Sequence, residues 1–239
     1  MREDQMDFVD VLLEIKENRL INGISMGREN LKAIILDMFA AGAETTYAAL
    51  EWTMAEIIRH PQVMKEAQKE IRNITGNKPH VSEEDVEKMH ILKAVIKESF
   101  RLHPPIPLLV PRESTEDVRV QGFDVLAKTR VIINAWAIGR DPVWWDDPEE
   151  FRPERFLDSS IDYKGQDFQL IPFGSGRRGC PGATFTVATN EIDLANLLHK
   201  FNWSLPRGAK PEDLDVTEST GLSVRTKFPL VVSATSHSF

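Results

Sequence analysis

From Arg28 to Arg59 the chain carries no proline, and Leu31, Ile34, Ile35, Met38, Phe39 and Ala43 recur at helical spacing. That periodicity predicts one long helix, a rod of roughly 48 Å. The stretch "AAGAETT", residues 40 to 46, puts a glycine and two adjacent threonines in its path, poor helix formers that predict a local distortion. His60-Pro61 ends the rod. "PQVMKEAQKEIRNITG" then reads as a second helix, with Pro61 near its start and Gly76 at its end. Ser82, followed three residues on by Asp85, predicts an N-cap for "EEDVEKM". A further helix, about 90–102, carries Ile91, Leu92, Val95 and Ile96 and stops at "HPPIPLLVP".

Beyond that point the pattern changes. "VRVQGFDV" predicts a β-hairpin turning at Gln121-Gly122, and "TRVIINAW" a buried strand. Residues 141–170 are irregular, rich in Asp, Pro and aromatics. A last long helix is expected over about 183–200, with Val187, Ala188, Ile192, Ala195, Leu198 and Phe201 on one face. Short strands are expected near 203–205, 222–226 and 230–234. Repeats, low-complexity tracts and linkers are not evident. The expected fold class is mainly α with a minor β part, in one unit.

Composition excludes several classes. The 239 residues are 41% hydrophobic and 28% charged, which suits a packed globular chain. A formal net charge of −8 argues against a nucleic-acid binder. One cysteine permits no internal disulfide, so the Asn-x-Ser/Thr sites at Asn73 and Asn202 read as coincidental. The N-terminal "MREDQMDFVDVLLEIKENR" is charged from its first residue and holds no signal-type apolar core. "AIILDMFAAGA" and "VIINAWAIG" are too short and interrupted to span a bilayer, so no membrane anchor is expected within these residues.

The lone thiol, Cys180, sits in "PFGSGRRGCPG", residues 172–182. Gly174, Gly176 and Gly179 satisfy G-x-G-x-x-G, and the strand-like "FQLIPF" precedes them. A dinucleotide loop should open its helix directly, however, inside a βαβ unit, whereas Cys180-Pro181-Gly182 intervenes. Gly, Arg and Pro make poor company for a core cysteine, and no histidine stands in an evident partner motif for a nucleophile. A metal ligand fits better. Arg177, Arg178 and the start of the following helix place positive charge around the sulfur, and the glycines admit a flat, bulky ligand. A single thiolate cannot hold zinc or an iron–sulfur cluster, but it can be the axial ligand of haem iron.

Other motifs agree, and together they resemble the cytochrome P-450 superfamily of haem-thiolate monooxygenases. Phe173, Gly176, Arg178, Cys180 and Gly182 match its F-x-x-G-x-R-x-C-x-G signature. Ala41, Gly42, Glu44, Thr45 and Thr46 match its A/G-G-x-D/E-T-T/S motif, Glu98 and Arg101 its E-x-x-R, and "FRPERF" supplies Arg155. "NAWAIGRDP" and the cysteine loop look most like the plant microsomal branch. The resemblance implies haem b with Cys180 as proximal ligand, Phe173 near the sulfur, and Arg178 and Arg112 on the propionates. Glu98, Arg101 and Arg155 would form a buried network bracing the loop. A bulge at Gly42 would let the catalytic pair Thr45 and Glu44 supply protons during oxygen activation. Leu36, Phe39, Ile106, Leu108, Leu109, Val110, Gly221 and Leu222 fall where the family lines its substrate pocket.

The implied reaction inserts one atom of O2 into a small apolar organic substrate, with electrons from NADPH through a flavoprotein reductase. Family members are about twice this long, so the match covers their C-terminal half. A full-length parent would sit on the cytosolic face of the endoplasmic reticulum membrane through an N-terminal anchor outside these residues. The alternative is a truncated family fragment without activity, at most a weak haem binder; an unrelated helical scaffold with one structural cysteine is a third reading.

Overall fold

The computed structural model describes residues 6–17 and 26–238. The chain divides into two compact units, Met1–Glu44 and Thr45–Phe239. In the first, α1 (Phe8–Glu17) is opened by Asp7, whose Oδ1 accepts from the amides of Val9 and Asp10 at 2.8 and 3.0 Å. Leu12 of α1 and Leu31 are its buried apolar residues among those described.

Helix α2 (Arg28–Arg59) runs from the first unit into the second as one continuous α-helix, and the distortion expected near Gly42 is absent. One glycine weakens a helix by about 1 kcal/mol, too little to break a rod whose second half is packed on both sides. In that half Ala48, Ala49, Trp52, Ala55, Ile57 and Ile58 are buried. Taken whole, α2 is long and apolar enough to cross a membrane by length and composition, although its apolar stretches read singly are not. Its buried Glu51 and Glu56 instead face protein partners.

Helices α3 (Pro61–Thr75), α4 (Glu83–Val86), α5 (His90–Leu102) and α7 (Ala183–Lys200) close one core with the end of α2. Leu92, Val95 and Ile96 of α5 meet Ile71 of α3 and Leu194 and Leu198 of α7 there. Ser82 and Asp85 form a reciprocal capping box at α4. The N-terminus of α5 has no cap in its own sequence; Glu70 of α3 supplies one. Its Oε1 accepts from His90 N and Ile91 N at 2.8 and 2.9 Å, and its Oε2 from Leu92 N at 3.0 Å. Arg72, two residues nearer the end of α3, closes the other end of the core by donating to Leu198 O and Phe201 O at the end of α7.

Among the described residues the β part consists of three two-stranded antiparallel sheets. β2 (Val118–Val120) and β3 (Phe123–Val125) form the hairpin expected at Gln121-Gly122, both with positive φ. "TRVIINAW" is not a strand. Only Arg130–Val131, β4, pairs, with β1 (Arg112–Glu113); Asn134 then caps the short helix α6 (Ala135–Ile138) through its side chain and Ala137 N. β-Branched residues favour a strand only where a partner strand is available, and here Ile133 and Ile138 pack onto Leu109, Ala135 and Ile171 instead. "FQLIPF" likewise forms turns rather than a strand. β5 (Phe201–Ser204) pairs with β6 (Ser233–Ser236), and the region expected as a strand at 222–226 contributes one isolated bridge, Glu218 to Thr226.

Glu56, near the end of α2, gathers two histidines. Its Oε1 bonds His103 Nε2 at 2.8 Å, its backbone carbonyl accepts from His60 Nδ1 at 2.8 Å, and Arg59 Nη1 reaches Oε1 at 3.2 Å. Burial would raise the Glu56 carboxyl. The bonds from His103 and His60 and the neighbouring positive charges outweigh it and hold the group well below the usual carboxylate range. The Glu56 carboxylate in turn raises His60 above its ordinary value, against the effect of burial.

Two outcomes follow for folding. Glu70→Ala is expected to lower stability by about 1–2 kcal/mol, and Glu70→Gln, which keeps an acceptor, by less, in urea unfolding followed by circular dichroism. The Glu56 contribution is present above the unfolded carboxyl value and lost as pH falls through the depressed folded one. The His60 contribution is present below about 6.5, its unfolded value, and lost as pH rises through the raised folded one. Stability against pH should therefore fall on the alkaline side near neutrality, and His60→Gln should flatten that decline.

Candidate functional site

The cysteine loop is built by its glycines. Gly174 and Gly176 take φ of +70° and +74°, left-handed values that a side chain would strain. Gly174 N donates to Ile171 O at 3.0 Å, Gly176–Arg178 form a single 3-10 turn, and Cys180 N returns to Phe173 O at 2.9 Å. This leaves Cys180 exposed as a free thiol, two residues before Gly182 opens α7 by accepting from Thr186 N at 2.9 Å. The Phe173 ring turns inward, edge-on to Phe100 and Tyr163 at 5.1 and 5.7 Å.

Two further elements reach the loop. Arg112 of β1 donates from Nη2 to Arg178 O at 3.2 Å, and a Cβ on Gly174 would meet that same Nη2 at 3.7 Å. The Arg112 fork therefore lies over the glycine turn, while Arg177 and Arg178 are exposed. From α2, Thr46 Oγ1 lies 3.4 Å from Thr186 Oγ1 in the first turn of α7. The half-buried Thr45 precedes it, and Glu44, exposed, ends the first unit.

The second unit also holds a buried charge network. Glu98 and Arg101, at i and i+3 on α5, are 0% and 1% exposed. Glu98 Oε2 accepts from Arg101 Nε at 2.7 Å. Its Oε1 accepts from Arg101 Nη2 at 2.8 Å, Arg152 N at 2.7 Å and Arg155 Nε at 3.2 Å. Arg101 spends its remaining donors on Gly139 O (2.6 Å), Pro148 O (2.7 Å) and Glu150 O (2.9 Å). All five N–H groups of its guanidinium are thereby satisfied. Arg155 also donates to the carbonyls of Asp146 and Asp147. Gly139 permits this approach, since a Cβ there would lie 2.4 Å from Arg101 O.

The remaining residues singled out from the sequence are dispersed. Leu36 and Phe39 are 66% and 73% exposed in the first unit. In the second, Leu108, Val110 and Leu222 are 46%, 62% and 59% exposed, Gly221 is exposed and Ile106 half-buried. Leu109 is buried, at φ +50°, in a cluster with Ala135 and Ile171. Glu70, Glu56 and His103 were not legible as partners. Glu70 belongs to a polar face, and His103 lies outside any helix, so no local pattern links them to α5 or α2.

The comparisons fall into place on this geometry. The family profile for cytochrome P-450 matches residues 1–231. Cytochrome P-450 71A1 of Persea americana is 57% identical over 98% of this chain and 46% of its own length, and cytochrome P-450 736A117 of Prunus mume 58% over 98% and 45%. Norfluorocurarine oxidase of Strychnos is 51% identical over 95% and 44%. Among solved structures, a zebra fish cytochrome P-450 with abiraterone superposes over the whole chain and 56% of its own, with TM-score 0.87 and 28% identity. The chain belongs to the cytochrome P-450 family. It spans about half the length of the curated relatives it matches. Family membership removes the reading as an unrelated helical scaffold, and it brings with it haem held by a cysteine thiolate.

The donor set fits that group: an exposed thiol, glycines that leave its approach bare, and an arginine fork beside it. The buried charge network is the part most sensitive to substitution. Glu98→Gln leaves two buried guanidinium groups without a countercharge and is expected to lose about 3–5 kcal/mol in denaturant unfolding. Gly139→Ala should lose about 1–3 kcal/mol by the same measurement, because backbone must shift to admit the methyl group.

Proposed function

We propose that this chain forms the haem-binding part of a plant monooxygenase that inserts one atom of O2 into a small apolar organic substrate. Electrons come from NADPH through a flavoprotein reductase, at the cytosolic face of the endoplasmic reticulum membrane. The observation that carries the reading is the placement of Cys180. Its loop presents the lone thiol outward while Phe173, Arg112 and the start of α7 fix the loop from three sides. The relatives' names support the class of reaction, one of them being an oxidase.

When bound, haem with a thiolate ligand supplies the activation of dioxygen. The chain's own residues then have separate tasks. Cys180 holds the iron as thiolate. Arg112 and Arg178 offer planar forks suited to the propionate carboxylates. Glu98, Arg101 and Arg155 hold residues 139–155, upstream of the loop, against α5. Thr45 and Glu44, on a turn of α2 that is unbroken at Gly42, would hold and pass protons, the hydroxyl as relay and the exposed carboxylate as exchange point with water. In the second unit, Ile106, Leu108, Val110, Gly221 and Leu222 face the substrate, with Leu109 as the buried root of its segment.

The test is the absorption spectrum of the haem-reconstituted, dithionite-reduced chain under carbon monoxide. A red-shifted Soret band of thiolate type is expected, and it should vanish in Cys180→Ala. A short-wavelength band unaffected by that substitution, or no bound haem, would overturn the reading in favour of an inactive family fragment.

A further inference from the structure

Three consecutive bonds at the middle of α2's second half tie together two chain segments that are distant in sequence. The Trp52 indole stacks on the His103 imidazole, ring centroids 4.1 Å apart and planes 4° apart. Its Nε1 donates to Val224 O at 3.1 Å, and Val224 N donates to Pro105 O at 2.8 Å. Next to Trp52, the buried Glu51 accepts from Thr226 N through Oε2 at 3.3 Å, while its Oε1 accepts from Tyr47 OH at 2.8 Å. His103 is fixed from its far side by Glu56 Oε1 at 2.8 Å.

What these contacts hold is informative. Val224–Thr226 form the root of a closed loop. Ser219 N donates to Arg225 O at 2.8 Å, Arg225 N to Ser219 Oγ at 3.1 Å, and Lys227 N to Thr217 O at 2.7 Å. The tip of that loop is Gly221-Leu222, exposed. His103–Pro105 are the root of the other segment, which is anchored further on by Trp136 N to Pro107 O at 3.0 Å and by buried Leu109, and which exposes Leu108 and Val110. Both roots meet on one turn of α2, and both tips carry bare apolar side chains.

We propose that Glu51, Trp52 and His103 form a clasp that positions these two segments against each other, and so sets which ligand shapes the apolar side chains at their tips accept. They are positioning residues, acting through the backbone at Pro105, Val224 and Thr226. The consequence for ligand choice rests on the substrate-facing role given above to Leu108, Val110, Gly221 and Leu222; the clasp itself does not.

Hydrogen–deuterium exchange of the full chain, with and without haem, tests it through Trp52→Phe, Glu51→Ala and Glu51→Gln. Trp52→Phe keeps a ring on His103 but removes the donor to Val224 O. In Trp52→Phe and Glu51→Ala, exchange in peptides 104–110 and 219–226 should accelerate about threefold to tenfold. Peptides from α3 and the C-terminal half of α7 should be unchanged, and Glu51→Gln should recover part of the protection. Unchanged exchange in both segments, or equal acceleration throughout the chain, would overturn the clasp. In the haem-loaded chain, the preference for 1-phenylimidazole over imidazole, read from the Soret shift, should change about threefold to tenfold in Trp52→Phe, with imidazole itself little affected. A preference that stays fixed while exchange accelerates would overturn the role in ligand choice. Exchange needs no haem, so absence of the Cys180-dependent band would sink the functional reading while the clasp is still decided.

Discussion

A carboxylate with no water around it is tolerable only if protein supplies everything that water would have supplied, and Glu98 imposes that demand on the second unit. Transfer of a charge of this size into a protein interior costs several kcal/mol even after relaxation, and a partner charge offsets it only when the geometry is close to ideal. Arg101 meets the condition because both groups leave the same helix face one turn apart and meet fork to fork. Once Arg101 is turned inward, its remaining donors must also be met, and the carbonyls of Gly139, Pro148 and Glu150 are drawn to it. Irregular chain between α6 and the cysteine loop thus acquires a defined course without forming a sheet or helix of any length. Arg155 adds a second countercharge from that same region. The loop that exposes Cys180 touches the same helix through Phe173, whose ring meets Phe100 edge-on.

Much of the helical frame was legible because it rests on local pattern. The bounds of α2, α3, α5 and α7 follow from periodicity, from Pro61 and from the breaks at Gly76 and "HPPIP". The hairpin at Gln121-Gly122 follows from turn chemistry. Strand assignments were the weak part: of "TRVIINAW" only Arg130–Val131 find a partner strand, and "FQLIPF" finds none. What decides their course is tertiary: Asn134 finds Ala137 N, and Ile133 finds Leu109 and Ile171. A period of two in the sequence describes a half-buried surface, and only the fold determines whether a sheet is there to receive it.

At the site the same division holds. Motif spacing singled out Cys180, Glu98, Arg101 and Arg155, and each occupies a distinctive environment. The residues that escaped notice are those whose partners lie far along the chain: Glu51 with Thr226, Trp52 with Val224, Glu56 with His103. Glu51, Trp52 and Glu56 look like ordinary members of a helix until the other segment arrives. Leu109 shows the converse. Its apolar neighbours are exposed, but its left-handed backbone turns its own side chain into the core, which spacing alone does not reveal.

The tertiary cap on α5 has a consequence for the order in which constraints accumulate on that helix. Glu70 and His90 are 20 residues apart, whereas Glu98 and Arg155 are 57 apart. Closing the longer loop costs about 1 kcal/mol more chain entropy. The helix that carries the buried charge is therefore pinned at its N-terminal end by the nearer and less expensive contact. The distant segment does not need to create α5; it needs only to dock on a helix whose first turn is already satisfied.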